Sequence, residues 1–176
     1  MTSGEFFTKA TVWLAVLAYG WGTSWLIHAG GFSKAPPKAR MIWTMGCAFF
    51  LAHVACAFAV YHHWSHLAAY EDTARQTRAM TGWDSGAGLY VNYAFAAAWL
   101  GEVIWWWLAP ASLGHRPVWI ACVWHGFYAF MVLNGTIVFG HGAVRWFGAL
   151  VFISLAIAGW RSPERRRANF SAQHPS

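Results

Sequence analysis

Apolar residues run along this chain in five long stretches, at about 10 to 28, 41 to 61, 88 to 108, 118 to 138 and 143 to 160. Each is close to the roughly 20 residues that an α-helix needs to cross the hydrocarbon core of a bilayer. The segments between them end helices: "GGFSKAPPKAR" carries glycines and paired prolines, "TGWDSGAG" turns, "PASLGHRP" begins and ends in proline, and "FGHGA" reverses tightly between the last two runs. This pattern predicts an all-α fold, a multi-pass integral membrane bundle of five transmembrane helices forming one domain over 1 to 160, followed by a basic cytoplasmic tail at 161 to 176. Four spans remain an alternative, because the last run is the shortest and holds Arg145 in its first turn.

No Gly or Pro interrupts the chain between Gly46 and Gly82. The second run can therefore continue, through "YHHWSH", into an external helix at about 62 to 80. The pattern there is amphipathic, with Trp64, Leu67 and Ala68 on one face, which suits a helix lying on the outer leaflet.

Composition reinforces the membrane reading. Hydrophobic residues make up 58% and charged ones 10%, whereas about a quarter of a soluble domain is charged. The formal charge of +6 does not point to nucleic acid, because the basic residues sit in the flanks between apolar runs. Lys34, Lys38, Arg40, Arg116, Arg161, Arg165, Arg166 and Arg167 fall on one side of the predicted bundle, and Lys9, Arg75, Arg78 and Arg145 on the other. By the positive-inside rule the first group is cytoplasmic, which puts the amino terminus outside and the carboxyl tail inside a plasma membrane of the bacterial inner-membrane kind. Trp25, Trp43, Trp105, Trp106, Trp107, Trp119 and Trp160 then line the inner interface, and Trp13, Trp64, Trp83 and Trp146 the outer one, as two aromatic belts. Cys47, Cys56 and Cys122 all lie in apolar runs without a CxxC spacing, as reduced thiols do.

Ionisable residues within a span are costly, so each is a functional candidate. Three qualify: His53, Glu102 and His125. At 1.5 Å of rise per residue, Glu102 and His125 lie roughly 9 and 10 Å from the inner ends of their helices, and His53 roughly 18 Å. A carboxylate and an imidazole at one depth can pair, share a proton or bind a common ligand. Haem b held between His53 and His125 is the redox version, and it has to overcome a mismatch of roughly 8 Å in depth. The run "WLGEVIWWWLAP" sets Glu102 one turn above three consecutive tryptophans, as a belt or as the wall of a vestibule.

Outside the spans, His62 and His66 stand four apart on the expected external helix, the spacing by which two imidazoles reach one transition metal. The structural alternative is that they only mark the interface. Asn92 and Asn134 are expected to bridge neighbouring helices as an amide pair.

No Walker loop, dinucleotide fingerprint or nucleophile elbow occurs, and no internal repeat supports a transporter. The expectation is an accessory or anchor subunit of a membrane complex, in contact with lipid and with other membrane subunits or copies of itself, whose His53, Glu102 and His125 handle protons, electrons or a bound cofactor. The alternatives are a membrane metal-binding protein or metalloenzyme using His62 and His66, and a small proton-coupled transporter.

Overall fold

A computed structural model describes residues 2–32, 35–140 and 142–162. Every regular element among them is helical: α1 (Ser3–His28), α2 (Pro37–Tyr61), α3 (His66–Thr81), α4 (Gly88–Leu108), a 3-10 helix (Pro110–His115), α5 (Val118–Leu133) with a π-helical end (Asn134–Val138), and α6 (Ala143–Trp160). Four stretches are long and apolar enough to cross a membrane: Ser3–His28, Pro37–Tyr61, Val118–Val138 and Ala143–Trp160. Helix α4 has the length, 21 residues, but Tyr90, Tyr93, Asn92, Glu102 and four tryptophans lower its mean hydropathy.

The helix ends follow local chemistry. Helix α1 opens on a capping box, in which Thr2 Oγ1 accepts from Glu5 N–H and Glu5 Oε2 accepts from Thr2 N–H, each satisfying a donor that the first turn would leave bare. This cap starts α1 several residues before the apolar run at 10 to 28. Pro37 and Pro117 sit at helix starts, where a missing N–H costs nothing.

Helix α2 does not run on into α3. It stops at Tyr61, and His63 (φ 47°) and Trp64 (φ 61°) take left-handed conformations before Ser65 caps α3. Trp64 N–H closes the end of α2 on Phe58 C=O at 3.0 Å. The expected helix at 62 to 80 is thus a separate element starting at His66, and His62 and His66 are not on one helical face.

Helix α1 packs along α2 and against α6, α2 packs on α4, and α3 returns onto α4. Gly46 lets α2 approach α4 and α1 closely: a Cβ there would come within 2.9 Å of Trp99 and 3.2 Å of Ala18. The core that results is aromatic, with Tyr19, Trp43, Phe95, Trp99, Trp106 and Tyr128 buried together. Trp43 and Trp106 are fully buried, whereas Trp119, Trp160, Trp64, Trp83 and Trp146 are exposed. Two of the expected belt tryptophans are therefore core residues, because a 3.6-residue repeat turns part of any aromatic run inward.

Candidate functional site

The fully buried Glu102 lies on the inward face of α4, between the buried Trp99, Val103 and Trp106. A buried carboxylate needs a counter-charge and hydrogen bonds to offset its lost hydration. Arg116 provides them, with Nη1 donating to Glu102 Oε1 at 2.9 Å and both side chains sealed from solvent.

The connection from α4 to α5 makes this reach possible. Trp105 Nε1 donates to Ser112 Oγ at 2.6 Å, and Ser112 Oγ donates to Ala109 C=O at 2.7 Å, folding the 3-10 helix back against the end of α4. Arg116 follows at the end of that helix, immediately before Pro117 opens α5. Its guanidinium lies over the rings of Trp105 (5.3 Å) and Trp124 (5.9 Å), so two indole faces share its charge with the carboxylate.

His125, two turns into α5, completes the cluster. Its Nε2 stands 3.5 Å from Glu102 Oε1, the oxygen that Arg116 already holds. Phe32, from the loop after α1, stacks on the imidazole with centroids 3.9 Å apart and planes at 20°. Trp43 and Tyr128 pack around it at 5.5 and 5.6 Å, Tyr128 edge-on. Trp43 and Tyr128 also present their polar ends to Glu102. Glu102 Oε2, both nitrogens of His125, Arg116 Nε and Nη2, and the polar atoms of Trp43, Trp106, Trp124 and Tyr128 are buried without a close hydrogen-bond partner.

The end of the bundle holding this cluster is tied down by a second basic residue. Arg40 donates from Nε to Ala35 C=O (2.9 Å) and from Nη1 to Trp106 C=O (3.3 Å), and Trp107 Nε1 donates to Thr44 Oγ1 at 2.9 Å. These bonds lock the start of α2 to the end of α4.

Of the residues singled out in the sequence, Glu102 and His125 come together. His53 does not join them. Trp43 is the α2 residue that touches His125, and His53 lies roughly 15 Å further along that helix, with its Nδ1 at 2.9 Å from Thr8 C=O of α1. The two histidines therefore face different surroundings, and a haem bridging them has no common plane.

His62 packs edge-on against Phe58, and His66 Nδ1 meets Tyr93 Oη at 3.1 Å. The break in helix at His63 and Trp64 removes the four-residue spacing on which a His62 and His66 metal pair depended. No group of three metal-ligating side chains occurs among the described residues. His141 lies outside the described residues. Asn134 Nδ2 donates to Phe130 C=O within its own helix at 2.8 Å rather than to Asn92.

Sequence reasoning missed Arg116 because it was counted as a loop charge. The signal was present: a buried carboxylate calls for a cation, and Arg116 is the nearest one along the chain. Tyr128 was also missed, although it sits one turn from His125 on the same face. No protein-family model, curated protein or solved structure matches this chain.

Proposed function

We propose that this chain is a small membrane subunit whose Glu102, Arg116 and His125 form a buried proton-handling centre. The observation that carries this reading is the shared oxygen: Glu102 Oε1 takes the Arg116 guanidinium on one side and faces His125 Nε2 at 3.5 Å on the other. Arg116 sets a positive charge beside the carboxylate and leaves the neighbouring imidazole in place. A proton arriving at the cluster has two acceptors 3.5 Å apart, and Glu102 Oε2 and Tyr128 Oη supply further polar atoms around them. Trp43, Trp106 and Trp124 exclude bulk water, which makes every charge change inside the cluster consequential.

In this reading α4 is a fifth span, packed between α2 and α5, with the amino terminus outside, the cluster near the cytoplasmic interface of a bacterial plasma membrane, and α3 on the outer leaflet. The role as an accessory or anchor subunit rests on the short connections and on the exposed aromatic and aliphatic side chains along α1 and α6, including Trp21, Leu17, Leu150 and Ile153, which meet lipid or other subunits. Haem ligation and a His62 and His66 metal site have weaker support, since His53 and His125 lie in different surroundings and His62 and His66 do not share the helical face on which their pairing was argued.

Tryptophan fluorescence tests the proton claim, because several indoles border the cluster. The wild-type protein in detergent should show a reversible pH-dependent emission change that His125→Gln and Glu102→Gln each abolish. A titration identical in all three proteins would contradict it. Extraction in mild detergent should release the chain in an assembly larger than a monomer, and a strictly monomeric species would count against the subunit role.

A further inference from the structure

An open-sided cavity of about 550 Å³ lies at the α3 end of the bundle, lined by α1, α2, α3, α4 and α5 with its π-helical end. Its volume falls within the range of small-molecule sites. Most of the wall is apolar and aromatic, including Phe50, Phe95, Trp99 and Phe130, and a few polar side chains converge on it, among them His53, Asn92 and Asn134.

Several of these polar groups have their hydrogen-bonding directions already assigned. A backbone carbonyl can only accept, so the contact of His53 Nδ1 with Thr8 C=O requires the proton on Nδ1. The neutral imidazole then offers Nε2 as a bare acceptor. By the same logic Asn134 must donate from Nδ2 to Phe130 C=O, which leaves Oδ1 to accept. Thr73, Thr77 and Thr136 spend their hydroxyl protons on carbonyls of their own helices, and Gln76 donates to Asp72. Asn92 keeps both its amide protons and its carbonyl oxygen; with His53 Nε2, Asn134 Oδ1 and the threonine oxygens counted, free acceptors still outnumber free donors on the wall.

The backbone contributes as well. Phe139 N–H bonds to Asn134 C=O at 2.8 Å, forming the wide turn of the π-helix that sets Asn134, Gly135 and Thr136 against the cavity. Such segments recur where a helix is adapted to a ligand.

We infer that this cavity binds a membrane-soluble aromatic diol of the hydroquinone class, whose hydroxyls donate to His53 Nε2 and Asn134 Oδ1 while its ring packs among the aromatic side chains. The corresponding quinone can only accept, and it finds fewer donors there. The inference stands apart from the proton-handling reading, since none of Glu102, Arg116 and His125 lines this cavity.

The test uses the full chain in lipid nanodiscs with three probes that share one apolar body: a decyl hydroquinone kept reduced, its quinone, and its dimethyl ether. Apparent affinity is read from the shift of the thermal unfolding midpoint with probe concentration. The hydroquinone should bind about tenfold tighter than either of the others, the worth of one to two net hydrogen bonds. His53→Leu and Asn134→Leu should each narrow that preference to within about threefold. If either variant fails to fold, the wild-type ranking alone decides. Equal binding of all three probes, a preference for the quinone, or a hydroquinone preference untouched in both variants would overturn the inference.

Discussion

At Glu102 the cost of burying a carboxylate is met by one guanidinium, and the two side chains depend on each other unequally. Arg116→Leu leaves Glu102 sealed and without its counter-charge, so thermal or denaturant unfolding in detergent should show a loss of about 3–5 kcal/mol. The double substitution Glu102→Leu with Arg116→Leu removes both charges together and should recover most of that loss. A double variant as unstable as the single one would mean that the pair acts through shape rather than charge. The shared depth of Glu102 and His125 was legible in the sequence, because helical rise converts residue number into depth. The inward fold of Arg116 was not, because it depends on Ser112 and Trp105 turning the connection back, a tertiary effect that no local pattern carries.

Among the elements, the junction between α2 and α3 departs furthest from its local sequence. Two consecutive non-glycine residues, His63 and Trp64, hold positive φ values, a conformation that costs L-residues about 1–2 kcal/mol each. His63 is exposed, so His63→Gly should relieve that cost with little lost packing and raise stability by about 1 kcal/mol. An unchanged or lowered melting midpoint would show that the histidine side chain contributes more than its backbone conformation costs. The absence of Gly and Pro made a continuous helix the natural expectation here. It fails because the turn is enforced from outside the segment, where α3 must fold back onto α4 and Gly86 lies too close to Tyr70 for any side chain. The runs at 88 to 108, 118 to 138 and 143 to 160, by contrast, coincide with helical stretches, since proline and glycine mark their ends in the sequence itself.

For the molecule as a whole, the buried ion pair lies at one end and the acceptor-lined cavity at the other, with the aromatic core between them, where Trp99 and Tyr128 pack at 6.1 Å. Hydropathy alone distinguishes four spans and leaves α4 undecided, because the tryptophans, tyrosines and Glu102 that serve the interior count as polar. Cysteine labelling resolves this. In a cysteine-free background, Ser85→Cys and Ser112→Cys flank α4 and should react with a membrane-impermeant reagent from opposite sides, Ser85→Cys from outside. Reaction from the same side would make α4 a re-entrant or interfacial helix and would remove Glu102 from the membrane interior. The central claim, that Glu102 and His125 exchange a proton within a buried cluster, is tested most directly by infrared difference spectra of the protein in lipid between about pH 5 and 8. The account predicts paired carboxyl and imidazole bands that change together, with the carboxyl band lost in Glu102→Gln and displaced in His125→Gln. A carboxyl spectrum that stays constant across that range, or one that is unaffected by either substitution, would contradict it.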